Sequence, residues 1–161
     1  MSETETTRQM GREAVRRRMA IQQGVEGFTN EIVRRMRQLV DSTDVVNSRM
    51  EKHQIGNVLT VALETPSVEL VKNFILYQVG RDVSGTSWRK ANFGEKLAAE
   101  LDALHMEAES AALQFGRQPR PGEPEAGDVD EVWIEMARQY LGQLNRYFYY
   151  RKEVVRWPKN Q

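Results

Sequence analysis

Three clusters of side chains in this 161-residue sequence have types and spacing suited to chemistry, and all three are cationic. Arg8, Arg12 and Arg16 lie four apart, so on a helix they line one face, and Arg17 and Arg18 widen it. Guanidinium groups pair with phosphate through two parallel hydrogen bonds and stay charged. The same stripe also reads as a solvated helix face, although five arginines in eleven residues exceed what solubility needs. The second cluster is Ser84-Gly85-Thr86-Ser87, flanked by Arg81, Trp88, Arg89 and Lys90. Small residues let a backbone approach a phosphate, hydroxyl and N–H groups donate to it, and an indole stacks on a base. The alternative is an ordinary helix–helix connection whose tryptophan plugs the core. The third cluster is the run Asn145-Arg-Tyr-Phe-Tyr-Tyr-Arg-Lys-Glu-Val-Val-Arg-Trp157, with Arg146, Arg151, Lys152 and Arg156. Arg138, Arg146, Tyr149, Lys152 and Arg156 fall near one helical face, while Tyr147 and Phe148 continue an apolar stripe. A basic helix with interleaved aromatics suits RNA backbone contact plus stacking. It equally suits a protein interface, where Tyr, Trp and Arg are the usual anchors.

Other chemistry is missing from the sequence. There is no cysteine, which removes thiol nucleophiles, disulfides and thiolate metal sites. The two histidines, His53 and His105, show no zinc spacing and have no glutamate three residues before them, so neither a zinc nor a helical di-metal site is expected. His53 reads as a surface or cap residue and His105 as a boundary residue. The acids Glu100, Asp102, Glu107 and Glu109 lack paired Glu-x-x-Glu spacing on two segments and read as a solvated face. No phosphate-binding Gly-x4-Gly-Lys-Ser/Thr loop is present. The expectation is a protein that is not an enzyme and takes no cofactor or metal.

Net charge is zero, with 23 basic and 23 acidic residues. The balance is uneven: residues 61–130 are acidic and residues 131–161 basic. A neutral total argues against a free-standing, salt-driven nucleic-acid binder but leaves room for local basic faces within an assembly. No apolar run is long enough to cross a membrane, and the first residues are polar and acidic, so a soluble cytoplasmic protein without membrane contact is expected.

The elements that must position these clusters are helical throughout. Residues 1–7 read as a disordered N-terminus, and residues 8–161 as one bundle domain. Helical patterning runs from Arg8 to about Gln23, where Gly24 and Gly27 punctuate it, and again from Phe28 to Val40. The Asp41–Asp44 cluster stops the second helix and suits a cap for the next. Residues 45–63 read as one helix or two, with a break possible at Gly56. Thr65-Pro66 is a helix-start signal. Ser67 to Gly80 is the most hydrophobic stretch and predicts the central core helix. Ala91 to Leu113 forms another helix. A Pro/Gly-rich loop spans 116–127, and Asp128 or Asp130 is expected to cap a last helix ending near Trp157. No period-two alternation is present, so the fold class is all-α: a single-domain bundle of five or six helices.

Two stretches carry a family likeness. Val68-Glu-Leu-Val-Lys-Asn-Phe-Ile-Leu-Tyr-Gln-Val-Gly-Arg-Asp82 is an apolar helix ending in Tyr-Gln-x-Gly-Arg, and Leu144-Asn-Arg-Tyr-Phe-Tyr-Tyr-Arg-Lys152 is a late aromatic helix. Together they resemble the small helical subunit of type III CRISPR effector complexes. The resemblance implies a non-catalytic subunit whose copies stack along a ribonucleoprotein filament beside backbone subunits, where guide RNA pairs with target RNA. It points to Arg81, Arg146, Arg151 and Lys152 as RNA-backbone contacts. Adding Arg12, Arg16, Trp88, Arg89, Lys90 and Arg156 from the three clusters completes the expected nucleic-acid-binding set. The rival expectation is a helical protein–protein adaptor or regulator without nucleic-acid binding. A helix-turn-helix DNA regulator fits poorly, because the Gly80–Ala91 connection is too long for the turn.

Overall fold

The computed structural model describes residues 2–114 and 126–156. Among them lie six α-helices: α1 (Glu3–Glu26), α2 (Thr29–Thr43), α3 (Lys52–Glu64), α4 (Val68–Arg81), α5 (Phe93–Gln114) and α6 (Ala126–Arg156). No strand occurs among the described residues, so the fold is an all-α bundle. Of the expected 116–127 loop, residues 116–125 lie outside the described ones, whereas Ala126 and Gly127 already belong to α6. The last helix therefore starts before Asp128 and Asp130, and neither is its cap.

The centre of the bundle is α6, not the 67–80 helix that composition alone selects. α6 packs against α2, α3 and α5. It buries Val132, Trp133, Met136, Ala137, Tyr140, Leu141, Leu144 and Phe148. The Trp133 indole N–H donates to the Leu101 carbonyl at 2.8 Å, which satisfies the one polar atom this large side chain carries inward. α4 buries only Val68, Val71 and Ile75 and leaves Leu70, Leu76 and Tyr77 exposed. Its apolar residues ring the helix, but a 14-residue helix spans about 21 Å against about 46 Å for the 31 residues of α6. The longer helix offers one continuous stripe to three neighbours and takes the middle.

Side-chain bonds fix the directions of the helices. Gln139 Nε2 donates to Thr29 Oγ1 at 3.0 Å, and Tyr147 donates to Asp41 at 2.9 Å, so α2 runs parallel to α6. Arg138 donates to the Ala62 carbonyl at 2.8 Å, and Lys152 to the Ser48 carbonyl at 3.0 Å, so α3 runs antiparallel. Gly56 does not break α3, which is continuous through it.

Helix ends differ from expectation where side-chain caps decide them. α1 starts at Glu3 because Ser2 and Glu5 form a capping box, with Glu5 N–H on Ser2 Oγ at 3.3 Å and Ser2 N–H on Glu5 Oε2 at 3.2 Å. The stretch expected to be disordered is thus helical from residue 3. α2 runs on to Thr43, whose hydroxyl returns to the Leu39 carbonyl at 2.7 Å, and it ends at Asp44 with a left-handed φ of 52°. α4 begins after Ser67, whose hydroxyl accepts from Leu70 N–H, rather than at Thr65-Pro66. Thr65 instead ends α3.

Candidate nucleic-acid interface

The expected set divides between two ends of the bundle. Arg17 forms a two-pronged pair with Glu131 near the start of α6, with N–O distances of 3.1 and 2.9 Å. Arg12 and Arg16 precede it on an α1 segment, residues 2–16, whose side chains are all exposed. Arg151 pairs with Asp41 at the other end of α6. Positions 131 and 151 of one helix are about 30 Å apart. Arg12 and Arg16 therefore share no face with the remaining candidates.

The 82–90 loop is built inward. Asp82 is buried, and its carboxylate accepts from the N–H groups of Thr86, Ser87 and Arg89 at 3.3, 3.1 and 2.9 Å and from the Ser84 hydroxyl at 3.3 Å. Burial alone pushes this carboxyl up, but the donors outweigh it and hold it below the usual aspartate range. The donors that sequence reasoning assigns to a phosphate already surround an internal anion. Trp88 is 2 % exposed and lies 5.9 Å from the Phe93 ring, so it is the core plug and has no face free for a base. Arg89 caps α4 through the Val79 and Gly80 carbonyls at 2.8 and 3.3 Å, and Lys90 lies 4.0 Å from Asp44. Arg89 remains exposed despite those bonds, as does Arg81, whose guanidinium lies 5.5 Å from the Tyr77 ring.

The aromatic–basic run is sorted by the turn of α6. Lys152 points to the Ser48 carbonyl, and Arg138 to the Ala62 and Thr65 carbonyls and Glu135. Burial lowers the pKa of Lys152, partly opposed by Glu51. These residues form the edge turned to α3, not an open face. Arg151 and Tyr147 turn to α2, where both meet Asp41. Arg156 closes α6, and its side chain lies outside the described residues.

Between these two edges, successive residues at about 100° per step leave a strip of α6 facing outward: Tyr150, Arg146, Gly142 and Tyr149. Tyr149 and Tyr150 are 55 % and 60 % exposed. A Cβ added at Gly142 would meet nothing within 4 Å, so the strip has open space at that position. On the α2 side, the Arg37 guanidinium lies 5.5 Å from the Tyr147 ring, with Arg34 nearly one turn earlier on the same exposed face. On the α3 side, Lys52 Nζ lies 4.1 Å from the centre of the Tyr149 ring and pairs with Glu153. Arg34 and Arg146 make no ion pair among the described residues. The acids of this face, Asp41 and Glu153, each face a cation of the protein. Sequence reasoning missed Arg34, Arg37 and Lys52 as partners of the aromatic run. The available signal was that Arg34 and Arg37, three apart, oppose the apolar stripe of their helix; nothing local says which neighbour that face adjoins.

The acids of α5 do not form one solvated face. Glu107 pairs with Arg35 at 2.9 Å and its side chain is only 15 % exposed. Glu100 is half-buried beside the Tyr140 hydroxyl, 3.5 Å away. Burial raises the Glu100 carboxyl, Arg35 and Tyr140 oppose that, and Glu107 adds to it. His53 is exposed in the first turn of α3, and His105 lies edge-on to Trp133 while pairing with Glu109. Among the described residues no group of three or more His, Asp and Glu could hold a metal ion, and no helix is long and apolar enough to cross a membrane. A cleft of about 740 Å³ between α1 and α6 is lined by Ile21, Val25 and Ile134 and by the Arg17–Glu131 and Arg138–Glu135 pairs.

No protein-family model, curated protein or solved structure matches this chain.

Proposed function

We propose that this chain is a non-catalytic helical subunit of a ribonucleoprotein, contacting RNA backbone through the outward face shared by α2, α6 and α3. The observation that carries the reading is the strip Arg146–Tyr149–Tyr150, flanked by Arg34 and Arg37 on one side and Lys52 on the other. Arg34, Arg37 and Arg146 make no ion pair among the described residues, Lys52 is held by Glu153, and exposed rings lie among them, which is the surface chemistry of RNA contact. The specific form of the proposal is the small subunit of a type III CRISPR effector, after the Tyr-Gln-x-Gly-Arg helix end and the aromatic helix. In that role it joins backbone subunits and further copies of itself and contacts guide and target RNA in the cytoplasm. A neutral chain with one local basic face suits a subunit that binds RNA beside more basic partners. The experiment is purification of the tagged chain from its native host. Guide-length RNA and effector subunits are expected with it. In the reconstituted assembly, replacing Arg34, Arg37 and Arg146 together by Ala removes three phosphate contacts and flattens the salt dependence of log K by about 2 for a single strand. Purification free of RNA, or an unchanged slope, defeats the reading.

A second reading, a protein–protein adaptor without RNA, is favoured by Leu70, Leu76 and Tyr77 exposed on α4 and by Met10, Val15 and Met19 exposed on α1. Partner proteins recovered without nucleic acid, and lost on Leu70→Asp, support it.

A further inference from the structure

The proposed face leaves open whether its ligand is paired or single-stranded, and the two outward rings of α6 bear on that. Tyr149 and Tyr150 are adjacent in sequence, so their Cα positions are about 100° apart around α6, one leaning toward α3 and the other toward α2. Arg146, nearly one turn earlier, lies between them in direction. From the axis of α2 across α6 to that of α3 is roughly 16–20 Å at ordinary helix spacing. A chain crossing that width meets Arg37 over the Tyr147 ring first, then the Tyr150 ring, then Arg146, then the Tyr149 ring, with Glu153 between the last two held by Lys52. Cations and rings are thus interleaved across the face, as phosphates and bases are along a polynucleotide. Neither tyrosine is held inside the bundle: each is more than half exposed, and neither hydroxyl makes a hydrogen bond among the described residues. Lys52 covers one side of the Tyr149 ring while paired with Glu153, which leaves the other side of the ring for a base.

Resting on the RNA-contact reading above, we infer that this face takes single-stranded RNA, with unpaired bases stacked on Tyr149 and Tyr150 and the backbone between them on Arg146. In a duplex the base faces are covered by neighbouring base pairs, and an aromatic side chain on a protein surface does not reach them. A face built for duplex backbone needs cations and hydroxyls but no exposed rings. Stacking platforms interleaved with cations are the arrangement that binds single strands with little sequence preference.

The test is fluorescence anisotropy at low salt with the full chain and two probes, a labelled oligouridine of a dozen nucleotides and a labelled RNA duplex of similar length. The expected result is at least tenfold tighter binding of the single strand. Tyr149→Ala with Tyr150→Ala is expected to weaken that binding at least tenfold, and the paired Tyr→Phe variant to keep it, because the ring rather than the hydroxyl does the stacking. Circular dichroism checks that each variant retains the helical fold. Equal or tighter duplex binding, or a double-alanine variant that binds the single strand like the parent while Arg146→Ala weakens it, overturns the inference and leaves the RNA-contact reading standing. No binding of either probe, by the chain alone or within the reconstituted assembly, overturns both.

Discussion

Replacing Trp88 separates its packing role from any role on the surface. Its side chain is fully buried against Phe93, and among the described residues its indole N–H meets no acceptor. Trp88→Ala deletes a large core side chain and is expected to cost about 3–5 kcal/mol. For a chain of this size that lowers Tm by roughly 6–20 °C. Trp88→Phe is a different perturbation. It removes roughly 40 Å³, which at ~24 cal/mol per Å³ of cavity costs about 1 kcal/mol, with about as much again in lost apolar burial. It also removes a buried N–H whose unmet desolvation costs about 1–3 kcal/mol. The two nearly cancel, so Trp88→Phe is expected within about 1 kcal/mol of the parent. Urea unfolding followed by far-ultraviolet circular dichroism reads both variants without relying on tryptophan emission. A phenylalanine variant as unstable as the alanine one refutes the reasoning, because it means the indole N–H has a partner worth keeping. Single-strand RNA binding by the folded phenylalanine variant should equal the parent's; a tenfold loss would return Trp88 to the surface role that its sequence neighbours suggest.

Four further outcomes follow from described contacts. Asp82→Asn loses acceptors for the Ser87 and Arg89 N–H groups and is expected to destabilise by about 2–3 kcal/mol in urea unfolding. Since the folded-state pKa of Asp82 lies below its unfolded value, the stability it contributes is present above about pH 4 and lost as pH falls through the folded value; a parent-to-variant gap that widens on acidification contradicts this. Glu100 has the opposite sign: its folded-state pKa is raised, so stability declines as pH climbs from about 4.3 through the raised value, and Glu100→Gln is expected to lift the urea midpoint near neutrality and lose that advantage in acid. Gly94→Ala places a Cβ 2.3 Å from Val79 Cγ2 and 3.2 Å from the Trp88 carbonyl, so despite the better helix former a net loss of about 1–2 kcal/mol is expected by thermal melting. A double-mutant cycle on Arg17 and Glu131, both partly exposed, is expected to give a coupling of at most about 1 kcal/mol, and a larger value means the pair is shielded from solvent.

The fold class and most helix positions are legible because apolar residues recur with the helical period, and that signal is local. The stripes of Ile32–Met36–Leu39, Leu97–Leu101–Leu104 and Trp133–Met136–Tyr140–Leu144 are all buried as their spacing implies. Which helix is central is not local. The 68–81 segment has apolar residues on nearly every side, yet the longer and more sharply two-sided α6 occupies the middle. The candidate site was legible in part for the same reason. Arg146 and Tyr149 are exposed, as a late basic–aromatic helix suggests. Lys152 and Arg138, counted on the same face, instead reach carbonyls of the chain approaching α3 and at its end. A long cationic side chain within reach of an unpaired carbonyl serves the fold as readily as a ligand, and the sequence does not show where carbonyls end up. The 82–90 loop makes the same point with opposite charge, since nothing nearby in sequence marks Asp82 as the anion its amides enclose.

The exposed first fourteen residues of α1 have a consequence for how the molecule comes apart. A helix of some fifteen residues with no tertiary support is marginal in water. Residues 2–16 are therefore expected to exchange their amide hydrogens orders of magnitude faster than α6, at a rate indifferent to urea well below the main transition. Among the described residues, the bonds after Arg8, Arg12 and Arg16 then become the first that trypsin cuts, and the remainder trimmed there keeps a cooperative melt close to that of the intact chain.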